Sequence, residues 1–415
     1  MIIFAFVKEI AIIGAGAAGC FCAVELSRRV KDCRICIYEA APRPMAKLAL
    51  TGGGRCNITN SFEDAGDLKF IYPRGHRLMK RLLKAFGPED ACRWFEDAGI
   101  RLTVQEDHCV FPESQDAMQV VRTLERLMRA GGVRVECRRK VVQVHPDLSL
   151  TFADGSTASP DAVVMASGGN TAGILSPCEL RTEKPVPSLF TLKIKDSGLN
   201  ALMGNVIEGV ILGIAGTKFR ACGTLLLTDW GISGPAALRL SSYAARYLAD
   251  NSYSGTLTIN WAGVPENAAA EELKALAARG GAKKISGMHP AGLSERLWKM
   301  LLSRARLRED CRWAELGSKG LSRLASVLCS DQYPIGGRCH FKEEFVCCGG
   351  VSLDEVDSNS LECRKVRGLY LAGEVLDIDA VTGGFNLQAA WSTAHAVACS
   401  LASDIRQESP GDNIR

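Results

Sequence analysis

The chain has 415 residues, enough for two or three domains that each bury a core. Hydrophobic residues make up 47% and charged residues 23%, as in a soluble globular protein, and a net charge of +4 is too slight to point to nucleic acid as a main partner. No apolar run reaches the ~18 residues of a membrane-spanning helix, and the opening MIIFAFVKE lacks the length and cleavage pattern of a signal peptide.

Ile10, Ala11, Ile12 and Ile13 read as a buried strand, followed by Gly14, Gly16 and Gly19 in a G-x-G-x-x-G run that opens a helix. Gly14 allows the tight turn, Gly16 admits a pyrophosphate to the backbone, and Gly19 lets helix and strand approach. The helix start directs N–H groups and partial positive charge at the phosphates. Glu39 ends the next strand, Arg34–Tyr38, where its carboxylate can accept from ribose hydroxyls and disfavours a 2′-phosphate. The expected ligand is FAD or NAD, not NADP. Cys33 and Cys36 form a C-x-x-C, but residues three apart on a strand face opposite sides, so a core role is expected. The 17 cysteines are scattered and odd in number, which suits a reduced, cytoplasmic protein.

Further along, TGGGRCNITN (51–60) reads as a polar glycine-rich loop. Helices are predicted over His76–Phe86, Pro88–Ala98 and Ser114–Ala130, with a hairpin of Leu102–Glu106 and His108–Phe111 between them. Short strands follow at Val133–Cys137, Val141–His145 and Ser149–Phe152, then an apolar strand over 162–166 that ends in Ser167-Gly168-Gly169. From about residue 188, strands such as Leu189–Ile194, Val206–Ile214 and Gly223–Thr228 suggest an antiparallel sheet or barrel, and Ala268–Leu328 reads as mostly helical. Phe345–Val351 and Gly368–Ala372 return to strand, and a helix closes the chain from about Asn386 to Asp404. The strands VVMASGG and LYLAGE are both apolar and both end in small residues, which predicts a dinucleotide-binding domain built from both ends of the chain.

Four loops could serve one extended ligand: AIIGAGAAG, TGGGRCNITN, LAGEVLD and VTGGFNLQAA. The last sets two glycines before a helix, whose free N–H groups suit a ring that gains negative charge on reduction, as a flavin does. Basic runs occur at Arg74, His76, Arg77, Lys80, Arg81 and Lys84, and at Arg138, Arg139 and Lys140. A solvated helix face and a strand end explain them, with attraction of an anionic substrate or nucleotide as the other reading.

AIIGAGAAG, KLALTGGGRCNITN and GLYLAGEVLDIDAVTGGFNLQAAWSTAHAVA, supported by GTLLLTDWGISGPAAL, resemble the BaiN-like and aminoacetone-oxidase-like family of bacterial NAD(P)/FAD-dependent oxidoreductases over nearly the whole chain. The resemblance implies an α/β fold. A Rossmann-like, two-part FAD-binding domain (1–187 and 345–415) would carry an inserted β-barrel-like domain (188–344), β-rich over 188–264 and helical over about 265–330. It also implies that Gly14, Gly16, Ala17, Ala18 and Gly19 line the pyrophosphate and that Glu39 meets the adenosine ribose. Lys47, Gly53, Gly54, Arg55, Cys56 and Asn57 would sit near the ribityl chain or flavin, and Val141 would meet adenine through its backbone. Ala166 and Gly168 would pass close to the dinucleotide, and Gly373, Glu374, Gly384, Phe385, Asn386 and Leu387 would hold the flavin end. Relatives carry a longer Gly/Ser/Pro-rich stretch after the ASGG-like strand, so a cofactor- or substrate-facing loop is shortened here.

Individual side chains divide between structure and chemistry. Cys56 reads as a buried structural thiol. Arg55 either pairs with a carboxylate to brace its loop or touches the ligand. His108, His340 and His395 could act as acids or bases, but a structural histidine is the better reading of each. Glu374 and Asp377 read as ribityl-binding or loop-bracing groups. Tyr333 and Arg338 flank Pro334 and Gly336-Gly337 in an expected turn that could meet the flavin. The expected function is FAD-dependent hydride transfer on a small molecule, without nucleic acid or membrane. NAD(P)H would be a transient donor, since only one dinucleotide fingerprint is present. Relatives include enone reductases and an amine oxidase, so the substrate is open. The alternatives are a non-catalytic flavin-binding redox partner or sensor, or a flavoprotein acting on tRNA, which the net charge disfavours.

Overall fold

Four successive apolar residues at Ile10–Ile13 have no polar face to offer water, and they occupy the middle of a sheet covered on both sides. The computed structural model describes residues 7–63, 66–169, 171, 173–339 and 346–408. Its central sheet is parallel and five-stranded, with β1 (Lys8–Ile13), β2 (Cys33–Tyr38), β3 (Arg134–Glu136), β4 (Ala162–Met165) and β5 (Leu369–Leu371) in the order 5-4-1-2-3. Ile10 to Ile13 pair with Ala162 to Met165 on one side and with Ile35 to Tyr38 on the other. Parallel neighbours need crossovers. The first is helix α1 (Ala17–Arg29); the one from β4 to β5 runs through just over 200 residues of chain and brings the C-terminal part into the N-terminal sheet.

The long helix α2 (Phe385–Glu408) follows β5 and packs along α1. Between and beside them lies a cluster of Phe21, Phe86, Trp94, Phe95 and Trp391, with Phe21 at 4.5 Å from Trp94 and 5.2 Å from Trp391 by ring centroid. Such aromatic pairs add about 0.5–1.5 kcal/mol each beyond the area they bury. The contact also encloses charge. Glu25 on α1 accepts from Arg29 (2.6 Å), Trp94 Nε1 (2.9 Å) and His395 Nδ1 (2.8 Å), while the other ring nitrogen of His395 meets Cys399 Sγ at 3.3 Å. His395 is thus a structural histidine, as expected.

The chain forms two compact units, residues 1–186 with 345–415, and residues 187–344. The second unit is a closed six-stranded barrel, in spatial order Leu192–Ile194, Gly231–Ser233, Arg220–Thr228, Val206–Ile214, Ser254–Asn260 and Asp331–Arg338. Closure leaves no sheet edge to pair with another chain. Helices Glu266–Gly280, Glu295–Arg304 and Gly317–Ser330 are inserted before the last barrel strand. The structure is therefore α/β with a Rossmann-like part and a barrel-like part, as the sequence implied.

Two local expectations are corrected. The helix predicted from Ser114 begins at Ala117, because the Asp116 side chain accepts from the Met118 N–H and caps it there. Tyr333, Pro334 and Arg338 lie in a strand rather than a turn. Asp331, Tyr333 and Ile335 are buried and alternate with exposed Gln332, Pro334 and Gly336, a period of two that the proline and glycines mask in the sequence. Tyr333 is committed to the core, donating its hydroxyl to Asp331 Oδ2 at 2.6 Å.

The Glu25–His395 pair ties stability to pH. Burial opposes the imidazolium, but bonds to Cys399 and Glu25 outweigh it and hold the folded pKa up at about 9, from an ordinary 6.5. For Glu25 burial alone would raise the carboxyl, but hydrogen bonds from His395, Trp94 and Arg29 bring it down to about 2 from 4.5. The histidine's contribution is full below 6.5 and lost as pH rises through about 9, while the glutamate's is full above 4.5 and lost as pH falls through about 2. His395→Gln is expected to lower stability by on the order of 2 kcal/mol near neutral pH. It should also flatten the decline in Tm between pH 6.5 and 9, which thermal melts across that range would measure.

Candidate functional site

The site begins where the backbone crosses itself most closely. Gly14 has φ of +101°, and a Cβ there would lie 2.5 Å from the carbonyl oxygen of Ala166. A Cβ on Gly19 would fall 2.0 Å from the Gly14 carbonyl oxygen. Both positions are closed to any side chain by the fold itself. At Gly16, the residue before α1, a Cβ would meet nothing within 4 Å. That is an open cradle at a helix N-terminus, where free N–H groups and the helix dipole favour an anion. Ala17 and Ala18 are the first residues of α1.

Glu39 closes the same turn. One carboxylate oxygen accepts from the Ala15 N–H and the other from the Ala41 N–H, each at 2.7 Å. Each oxygen keeps a lone pair for a ribose hydroxyl. The Glu39 carbonyl accepts from the Arg139 N–H at 2.8 Å, two residues before Val141, so the strand Val141–Val144 starts beside the acid. Val141 itself is buried.

The remaining loops are joined to this one through glycines. A Cβ on Gly373 would stand 2.9 Å from Ala18 Cβ, and one on Gly168 would stand 3.5 Å from a Glu374 carboxylate oxygen. The Gly373 N–H donates to Thr393 Oγ1 on α2 at 2.9 Å. Gly384 immediately precedes α2, and a Cβ there would lie 2.4 Å from the Thr59 carbonyl oxygen. Asn57 stands beside it, its amide oriented to donate to the Thr59 carbonyl (2.8 Å) and to accept from the Gly384 N–H (3.1 Å). Phe385, Asn386 and Leu387 form the first turn of α2, whose N–H groups have no intrahelical acceptor. Asn386 holds that turn by a two-way hydrogen bond to the backbone of Ala380.

TGGGRCNITN is a tight turn rather than an open loop, with Gly52, Gly53 and Gly54 at φ of +59°, +70° and +84°. A Cβ on Gly53 or Gly54 would meet no atom within 4 Å, so this turn too presents bare backbone. Among the described residues Arg55 pairs with no carboxylate. Its guanidinium lies 4.3 Å from the Phe111 ring centroid and donates to Gly52 O (3.0 Å) and Gln115 Oε1 (3.4 Å). Cys56 is fully buried, and burial pushes its thiol up to about 12, so it offers no thiolate near neutral pH. Lys47 is exposed and its charge acts on Glu374. Burial pushes the Glu374 carboxyl above the usual carboxylate range against the pull of the Cys347 N–H, which it accepts at 2.6 Å, and of Lys47.

His108 Nδ1 lies 3.4 Å from Ser61 Oγ and 3.6 Å from the Glu63 carboxylate, at the hairpin Leu102–Val104/Cys109–Pro112. His340 lies outside the described residues, as do Asn170 and Ala172 in the shortened segment. Asp377 donates its N–H to the Val351 carbonyl. A second set of contacts has no local signal in the sequence. Residues 71–75 fasten the loop before α2: Ile71 O accepts from the Val381 N–H, the Tyr72 hydroxyl donates to Phe385 O, Arg74 forms a two-pronged pair with buried Asp379, and Gly75 packs on Ile378. No spacing rule links Arg74 to Asp379, 305 residues away.

The HI0933-like protein Rossmann domain family matches residues 8–400. The chain belongs to that family. It is 28% identical over 410 residues to a 3-dehydro-bile acid delta(4,6)-reductase of Clostridium scindens, covering 94% of this chain and 97% of that one. It is 29% identical over 412 residues to a ribosomal RNA dihydrouridine synthase of Escherichia coli, again with 94% and 97% covered. Among solved structures, a 3-ketosteroid-delta4-(5alpha)-dehydrogenase from Rhodococcus jostii aligns with a TM-score of 0.51 at 12% identity, over 97% of this chain and 98% of that one, a likeness of fold. The chain is an FAD-dependent oxidoreductase, and the family resemblance read from its motifs holds.

The glycines separate folding from binding. Gly19→Ala is expected to destabilise the protein by about 2 kcal/mol or more, since backbone must move. Gly16→Ala should leave the melting temperature of cofactor-free protein unchanged and weaken FAD retention about tenfold (about 1.4 kcal/mol). Melting curves and FAD titration of both variants check this.

Proposed function

We propose that this oxidoreductase saturates a C=C bond conjugated to a carbonyl group, with NAD(P)H as a visiting electron donor. The observation that supports the reading is that the four glycine-rich loops, drawn from both ends of the chain, meet one another: Gly373 against Ala18, Gly168 beside Glu374, and Gly384 against Thr59 and Asn57. The activities of the two relatives involve this bond type: one is a 3-dehydro-bile acid delta(4,6)-reductase, and the other a ribosomal RNA dihydrouridine synthase.

Gly14, Gly16, Ala17, Ala18 and Gly19 would hold the pyrophosphate, with Ala166 and Gly168 alongside. Glu39 would take the adenosine ribose and the Val141 backbone the adenine. Gly53, Gly54, Asn57, Gly373 and Glu374 would follow the ribityl chain, with Lys47, Arg55 and Cys56 supporting that stretch. Gly384, Phe385, Asn386 and Leu387 would hold the flavin ring. When bound, FAD supplies hydride chemistry at N5. The first turn of α2 supplies N–H groups and dipole for the negative charge that a reduced ring carries. A half-buried Glu374 with a raised pKa sits beside Gly168, and the 71–75 segment would brace the ring's cradle through its bonds to the loop before α2. One dinucleotide fingerprint serves the resident cofactor, which leaves NAD(P)H to come and go. All 17 cysteines are free, which supports a reducing, cytoplasmic setting.

The purified protein is expected to absorb near about 450 nm, to bleach anaerobically with NADH or NADPH, and to be reoxidised by a conjugated enone or by uridine-containing RNA. Failure to bleach with either donor would instead favour a flavin-binding protein without turnover. Glu39→Ala should lower FAD affinity about tenfold (about 1.4 kcal/mol) while the bleaching of bound flavin persists; unchanged affinity would remove the ribose assignment.

A further inference from the structure

The helix His76–Ala85 has one face that packing explains and one that it does not. Leu78, Met79 and Leu82 are buried. Arg77, Lys80, Arg81 and Lys84 are exposed and follow the spacing i, i+3, i+4, i+7, which sets them in one stripe along the outer face. The helix contains no acidic residue to balance them, and like charges at these spacings repel. Arg81 donates to two neutral groups, Ser358 Oγ at 2.9 Å and Asn359 Oδ1 at 2.6 Å. Among the described residues Arg77, Lys80 and Lys84 make no ion pair. Apart from these Arg81 contacts, the side chains of the stripe make no hydrogen bond or ion pair among the described residues.

Its position is specific. The stripe starts directly after residues 71–75, which fasten the loop leading into α2, where the flavin end of the cofactor is assigned. We propose that this stripe is a binding surface for the phosphate backbone of RNA, delivering an RNA substrate to the flavin end of the site. From Arg77 to Lys84 the axis advances about 10 Å, or about three phosphate steps of a duplex strand. A membrane surface fits less well, because an interfacial helix needs its apolar face free and here that face is packed inward. The choice of RNA rests on the proposed reading of a uridine-type substrate bond; the stripe does not depend on it.

The experiment uses the full-length, FAD-loaded protein and a fluorescently labelled 30-nucleotide RNA of mixed sequence, titrated between about 50 and 200 mM salt. The parent should bind with affinity that falls steeply with salt. The triple variant Arg77→Gln/Lys80→Gln/Lys84→Gln should bind at least about 10-fold more weakly at low salt, with a log–log salt slope smaller by about 2. Arg77→Lys/Lys80→Arg/Lys84→Arg should bind like the parent. Flavin spectrum and bleaching by NAD(P)H should be the same in all three proteins, and the neutral triple should melt no lower than the parent; the flavin readouts alone report on the reductase reading. The proposal is overturned if the parent does not bind the RNA, if it prefers anionic phospholipid vesicles, or if the neutral triple binds within twofold of the parent. The last result would shift binding to the inserted unit, which has 20 basic against 14 acidic residues. Should the neutral triple fail to fold, Lys80→Gln and Lys84→Gln decide singly, each expected to lower the salt slope by about 1.

Discussion

A carbonyl oxygen occupies the place of a missing methyl group: the Gly14 carbonyl stands 2.0 Å from where a Cβ of residue 19 would be. This contact lets α1 start directly above β1, and the rest of the site is measured from it. Because Gly14 also has no Cβ, β4 can end against the same turn, and Ala166 reaches it. Helix start, strand end and the Glu39 carboxylate then enclose one short stretch of bare backbone. Larger residues at 14 or 19 would push these parts apart and remove the cradle before any ligand was considered.

The second constraint is the clamp of α1 on α2. These helices come from opposite ends of the chain, and their contact is mostly aromatic and aliphatic with one buried charged network. An ion pair so enclosed contributes little unless every partner is present. Here Glu25 has three donors and His395 uses both ring nitrogens, so the network is complete and specific. Its consequence reaches the site. Fixing α2 against α1 fixes the first turn of α2; Asn57 and Asn386 tie neighbouring loops to that turn, and Thr393, two turns on, holds the Gly373 N–H.

Charge shows how a whole-chain quantity can hide a local one. A net +4 over 415 residues is unremarkable. The helix His76–Ala85 nevertheless concentrates four cations on its outer face, next to the segment that fastens the loop before α2. Averages over a chain do not describe the field at one surface, since screening confines each charge to a range of about 10 Å.

The fold class, the strand–glycine–helix unit, the return of the C-terminal part to the N-terminal sheet and the start of α2 were legible in the sequence. Each rests on local rules: apolar runs, glycines where a turn demands them, an acid at a set distance from the last glycine. The sequence did not reveal that Asp331–Arg338 is a barrel strand, because its buried members are an aspartate, a tyrosine and an isoleucine around a proline. Nor did it reveal the Arg74–Asp379 clamp, the role of Thr393, or that Arg55 lies over Phe111 in place of pairing with a carboxylate. Sequence alone determined what depends on near neighbours along the chain, since backbone geometry and hydrophobic period act over a few residues. Only the tertiary structure decided which side chains meet across hundreds of residues, since those contacts follow from how packed layers bring distant segments together.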